Sequence, residues 1–167
     1  MVQDQDGVLA WVSERLAVCM RQSEDLLLRD YVVAAASAIM AGGSNGDNPG
    51  YTTAADFSLV TATLDTNNAY KFVAGIPGAD KYGTGPVRSA YLCLTSTELQ
   101  PDFDALQGSG FQSVNAYPND TNALQSEYGA LLNVRILTSS QAPVARGASA
   151  NGRDVYYSTF FGSLNRS

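Results

Sequence analysis

No histidine occurs anywhere in the 167 residues, which removes the commonest general base, most zinc sites and every Ser-His arrangement at once. Charge is scarce as well: 16 % of residues are charged, against roughly 25 % in an average soluble protein, so much of the surface must be neutral and polar or covered by partners. The ten Lys and Arg residues are spread singly from Arg15 to Arg166 and the net charge is −6. A phosphate backbone would find little to hold, and no sequence-specific contact with nucleic acid is expected. The two cysteines, Cys19 and Cys93, are far apart and form no Cys-x-x-Cys pair; both are expected to be small buried apolar residues. The longest weakly polar run, VVAAASAIMAGG from Val32, is about half the length that crosses a bilayer, and no basic-then-apolar leader precedes it, so no membrane partner is expected.

What is present is helical spacing on a large scale. Apolar residues recur at Val8, Val12, Leu16, Cys19, Leu26, Leu27, Tyr31, Ala34 and Ala38 with no proline among them, which predicts a helix from Val8 to Ala41, whole or broken once near Ser23. Arg21, Asp25 and Arg29 can pair along another face, and Gly42 and Gly43 stop the helix. Such a helix would reach about 50 Å at 1.5 Å per residue, beyond the radius of a compact chain of this size, about 15 Å. A turn-rich linker, GGSNGDNPG, follows. Thr53 with Asp56 three residues on marks a second helix start, with Phe57, Val60 and Leu64 on its apolar face until Asn67 and Asn68.

Beyond a Gly- and Pro-rich loop from Gly75 to Pro86, the run from Val87 to Leu94 reads as a central strand. Thr97 to Leu106 reads as a short helix with Pro101 in its first turn, closed by Gly108 and Gly110. LLNVRILTSS from Leu131 reads as a second strand, and Asn151-Gly152 as a hairpin turn joining the segment around Val144 to DVYYSTFF. The sum is an α+β domain carried on a long helix.

Chemical motifs are few. Gly42 to Gly46 matches a nucleophile elbow but follows a helix and has no histidine partner. GADKYG from Gly78 begins like a phosphate loop, yet Thr84 and Gly85 stand where the lysine and hydroxyl residue belong. GSNGDN lacks the ligands of a calcium loop. Glu98, Asp102 and Asp104 lie in or near one short helix, a conceivable hydrolytic pair, although charges near a helix N-terminus are common for electrostatic reasons alone. Asn119 and Asn165 begin glycosylation patterns. No catalytic residue, metal ligand or cofactor is expected.

Taken in order, the segments QSEDLLLRDYVVAAAS, TAADFSLVTATLDTNNA, GTGPVRSAYLCLTSTELQPDFDAL, GFQSVNAYPND and SEYGALLNVRILTSSQAP resemble the major capsid protein of tailed bacteriophages, in particular its N-four-type podovirus branch. The resemblance runs from about Gln22 to Gly162 and rests on the co-linear set. It implies the tailed-phage major capsid fold: residues 1–42 as the spine helix of a peripheral domain, and residues 43–167 as an axial-domain-like region with a central sheet flanked by helices. It also implies self-assembly into hexamers and pentamers of an icosahedral virion capsid in a bacterial host, with scaffolding or decoration proteins as further partners. The family's N-terminal arm and extended loop have no counterpart here, so the chain is expected to be a fragment or isolated domain.

By the same likeness, Gly83, Thr84, Pro86 and Val87 lead into the central strand, and Glu127, Gly129 and Arg135 stand before and within a sheet strand. Arg135, set in an apolar run, needs a carboxylate to offset its desolvation, and Glu127 is the nearest candidate. Three rivals stay open: an encapsulin-type nanocompartment shell of the same fold, a small carboxylate-based hydrolase using Glu98 or Asp102, and a surface adhesion module suggested only by the neutral polar composition.

Overall fold

A computed structural model describes residues 3–43 and 49–164. The chain divides into two compact units, Met1–Ser37 and Ala38–Ser167.

The first unit is a single helix, α1 (Gln3–Ala35). It starts earlier than the apolar spacing predicts and ends six residues before Ala41, ahead of the Gly42–Gly43 pair. It also runs unbroken through Ser23, whose hydroxyl donates to the Cys19 carbonyl at 2.9 Å and so satisfies its hydrogen-bonding capacity within the helix. Arg15 lies 5.6 Å from the centre of the Trp11 ring, and Arg29 reaches Asp30 at 2.6 Å. Cys19 is exposed, contrary to expectation, whereas Cys93 is buried as expected.

The second unit is a mixed α+β domain. Helix α2 (Ala54–Thr66) begins where its sequence says it should. The Thr53 hydroxyl accepts from the Asp56 amide while the Asp56 carboxylate accepts from the Thr53 amide at 2.8 Å, a complete capping box. Burial works against the Asp56 charge, but the hydrogen bonds from Thr53 and the Gly42 amide outweigh it and hold the carboxyl below its usual range.

Among the described residues there are nine strands: β1 (Ala69–Tyr70), β2 (Tyr91–Ser96), β3 (Phe111–Ser113), β4 (Glu127–Leu131), β5 (Val134–Ser139), β6 (Val144–Ala145), β7 (Val155–Tyr156), β8 (Thr159–Phe161) and β9 (Ser163–Leu164). Five form one sheet in the order β3-β4-β5-β2-β8, with β2 and β5 parallel and the other pairs antiparallel. A turn at Thr97–Leu99 and helix α3 (Gln100–Ala105) follow β2, so the expected Thr97–Leu106 helix is present in two pieces.

Three readings need correction. The central strand starts at Tyr91, not Val87; Val87 and Ala90 instead make isolated bridges to Ile76 and Val73. The segment from Leu131 is not one strand. Leu131 pairs with Val134, so the chain reverses across Leu132 and Asn133, and Leu132 adopts a left-handed φ of 55°. DVYYSTFF likewise divides, its first part pairing with Val144–Ala145 in a hairpin and its second forming the edge strand β8.

The period-two alternation of strands sorts the interior into two layers. Phe57 of α2, Phe103 of α3, Cys93, Leu131, Val134 and Ile136 fill one face of the sheet. Phe57 meets Phe103 and Phe160 edge-on, with ring centres 6.0 and 5.3 Å apart. On the other face Ile76, Val87, Tyr117 and Ala130 form a smaller cluster supplied by loops. Arg135, between Val134 and Ile136, necessarily points into that second layer.

Candidate functional site

Arg135 is only 2 % exposed and is the largest fully buried side chain among the described residues. Its Nε donates to Glu127 Oε1 at 2.6 Å and its terminal nitrogen to Glu127 Oε2 at 2.5 Å, a two-pronged pair whose carboxylate is also sealed from water. The remaining donors reach the carbonyls of Ala74 at 3.3 Å and Asn122 at 2.9 Å. Glu127 accepts in addition from the Tyr117 hydroxyl at 2.6 Å and from the Leu124 amide at 2.7 Å. No buried side-chain nitrogen or oxygen lacks a partner among the described residues.

The sequence expectation that Glu127 partners Arg135 holds. The two strands meet through the Leu132–Asn133 reversal, with Ala130 opposite Arg135 and an irregularity between Glu127 and Gly129 that re-aims the carboxylate. Gly129 lies within β4, opposite Ser113 of β3. A Cβ there would sit 2.6 Å from both the Gln112 carbonyl and the Phe111 ring, so the glycine lets β3 approach.

The electrostatics follow from enclosure. Burial opposes the Arg135 charge, but the hydrogen bonds and charge of Glu127 prevail and its pKa is raised. Burial, then the bond to Glu127, pushes the Tyr117 hydroxyl well above the usual tyrosine range. Arg135 is therefore held charged and Tyr117 neutral, and the cluster ties strand β5 to β4, to the 114–124 loop and to the segment at Ala74. This is a structural peg; it presents no free proton donor or acceptor.

The other four sequence candidates do not join this cluster. Val87 is buried and bridged to Ile76; Pro86 is exposed beside it. Gly83 has a φ of 77°, a left-handed geometry that suits glycine, and the Thr84 hydroxyl donates to the Lys81 carbonyl at 2.6 Å. Gly83, Thr84 and Pro86 belong to a finger, residues 77–86, read from the sequence only as a loop, and Val87 stands at its base.

A second charged cluster lies at the surface. Arg146 donates to Glu98 at 2.7 and 3.1 Å and to Asp154 at 2.5 Å, and the Tyr156 hydroxyl donates to Glu98. The Arg146 bonds, then that of Tyr156, hold the Glu98 carboxyl below its usual range, the reverse of what a general acid requires. Asp104 accepts from the Tyr128 hydroxyl at 2.7 Å; burial, then this bond, pushes that tyrosine up to about 12. A third group joins Lys71, Asp65 and Tyr91: the carboxylate accepts from Lys71 and from the tyrosine hydroxyl, each at 2.6 Å.

Asn119 is exposed, its side-chain oxygen accepting from the Thr121 hydroxyl at 2.6 Å. Asn165, most of the GSNGDN turn and the end of the Gly42–Gly46 match lie outside the described residues. Among the described residues no group of His, Cys, Asp or Glu is arranged to hold a metal, and no helix is long and apolar enough to cross a membrane. No protein-family model matches the sequence, and no curated protein matches it significantly.

Proposed function

We propose that this chain is a structural shell protein whose copies assemble as hexamers and pentamers into an icosahedral virion capsid, in the manner of tailed-phage heads. The observation that supports it most is helix α1. Along its 33 residues ten large apolar side chains stand open to water, among them Trp11 at 58 %, Leu27 at 71 % and Tyr31 at 74 % exposure. Fully burying one such side chain is worth about 1.5–3 kcal/mol, so the helix carries a strong drive toward a covering surface. In a closed shell that surface comes from neighbouring copies.

The scarcity of charge agrees, since a shell subunit turns much of its surface to neighbours instead of water. The mixed sheet with helices packed on one face is compatible with an axial domain; the particular capsid topology is part of the proposal. On this reading the genome is enclosed without being read, scaffolding or decoration proteins are additional partners, and assembly takes place in the cytoplasm of a bacterial host.

Electron microscopy of the protein expressed at full length and alone provides the test. Closed particles with fivefold and sixfold units are expected; single copies at every concentration would overturn the proposal. A duplex-DNA titration adds a second arm, in which binding weaker than micromolar at about 0.15 M salt is expected.

A further inference from the structure

Helix α1 stands as a unit of its own, and a helix without a covered face is marginal in water, because most helical stability in proteins comes from packing one face. Successive residues turn by about 100°, so the exposed Leu9, Val12, Leu16, Met20, Leu27 and Tyr31 fall within one arc about 100° wide. Trp11, Val18 and Leu28 lie off that arc, and the Arg15 guanidinium already stands over the Trp11 ring. Glu14, Arg15, Arg21, Glu24, Asp25 and Arg29 lie off it too. Asp30, at its edge, is paired with Arg29 at 2.6 Å.

This stripe can be covered without stranding polar groups. Ser13 and Ser23, which lie on it, donate to the carbonyls of Ala10 and Cys19 at 2.8 and 2.9 Å, so their hydroxyls are satisfied inside the helix. From Leu9 to Tyr31 the stripe runs about 33 Å at 1.5 Å per residue. Its six side chains expose on the order of 800 Å², which is what one partner brings to a standard interface. A second α1 supplies a stripe of the same length, width and composition. Between Val8 and Ala35 the acids Glu14, Glu24, Asp25 and Asp30 face the bases Arg15, Arg21 and Arg29, so two copies side by side meet little net repulsion. The same near balance leaves no excess of cations to favour an anionic lipid surface or a nucleic acid.

We infer that α1 of one copy pairs lengthwise with α1 of a second copy through this stripe, the midpoints of the two helices opposed. Cys19 has sixteen helix residues on either side of it. Pairing in either direction therefore brings the exposed Cys19 of one copy beside that of the other. The contact uses the same patch on both sides and closes at two copies. This inference rests on the shell reading, in which copies cover one another, and it names the surface that covers α1.

The experiment is sedimentation velocity of the full chain over a range of concentrations, with circular dichroism of each variant to follow the helix. Leu16→Glu and Leu27→Glu are each expected to raise the half-association concentration at least about tenfold, since each places a charge in the covered seam. Val18→Glu, which puts the same charge on the opposite side of α1, should stay within about threefold. A short bismaleimide should link two parent copies through Cys19. Cys19→Ser should abolish that product and Leu16→Glu should reduce it at equal concentration, while the buried Cys93 takes no part. If the parent associates but gives no Cys19 product, if Leu16→Glu and Leu27→Glu associate as well as the parent, or if Val18→Glu is as damaging as they are, the inference falls and the shell reading stands. If the parent remains a single copy throughout, the shell reading falls and takes the inference with it. Single copies that sediment with phosphatidylcholine vesicles would make a lipid surface the cover of α1 and overturn both.

Discussion

The two arginine clusters are made of the same parts, an arginine, carboxylate and a tyrosine hydroxyl, yet they occupy opposite environments. Arg135 and Glu127 are 2 % and 0 % exposed. Arg146 and Glu98 are 61 % and 45 % exposed, with Asp154 at 32 %. In the first, water has been removed and every donor has a fixed partner, so losing one member strands the others. In the second, solvent and salt stand ready to replace whatever is lost. Composition is thus a poor guide to what an ion pair contributes, and enclosure decides it.

The sharpest test is Arg135→Ala. It leaves a buried carboxylate without its cation and two backbone carbonyls without donors, so a loss of about 3–5 kcal/mol is expected in denaturant unfolding. Arg135→Met combined with Glu127→Leu should cost clearly less than the sum of the single changes, because no charge is stranded. If Arg135→Ala melts like the parent, the peg is not a peg and the contrast between the clusters collapses.

Next in size is Gly129→Ala, which leaves the charges intact but pushes a methyl into the Gln112 carbonyl and the Phe111 ring. A cost of about 1–3 kcal/mol is expected, read as a lower melting temperature. An unchanged melting temperature would show that β3 can move aside.

Tyr117→Phe removes one of the three groups that donate to Glu127 while keeping the ring against Arg135. A loss of about 1 kcal/mol is expected. The hydroxyl's folded pKa is raised, so its contribution is complete below the ordinary tyrosine value, about 10, and is lost as pH rises through the folded value. Stability measured against pH should therefore fall less steeply above pH 10.0 in the variant than in the parent.

The smallest effect belongs to Arg146→Ala, which should leave the melting temperature within the scatter of surface substitutions and respond to salt where Arg135→Ala does not. The carboxyls of Glu98 and Asp154 are lowered in the folded state, chiefly by Arg146. Whatever stability they add is present above their unfolded values and lost as pH falls through the folded ones. A large, salt-independent loss would erase the contrast.

Several features were legible because they are local. The capping box at Thr53 and Asp56 depends on residues three apart, and the helical period of α1 repeats over many turns. Others were not. Strand β3 is three residues long, Phe111–Ser113, too short for any period. The β4–β5 reversal uses Leu132 and Asn133 in place of the Asn-Gly or Asp-Gly pair that announces a hairpin, so two strands read as one. Cys19 is exposed where its spacing predicts burial, because apolar spacing shows which face of a helix can be covered, never whether anything covers it.

The finger at residues 77–86 escaped notice for a related reason: its composition is that of any loop, and only the bridges at its base distinguish it.

By itself the sequence determined the absence of histidine chemistry, the long helix, the second helix start and the need of Arg135 for a carboxylate, since each follows from residue type or short-range spacing. Only the tertiary structure decided that Glu127 arrives from the adjacent strand, that Tyr117, Leu124, Ala74 and Asn122 complete the enclosure, and that Arg146 forms its own cluster in the open. Burial is a property of segments distant in the chain packing together, and a pattern of neighbours in sequence does not record which of them will be sealed from water.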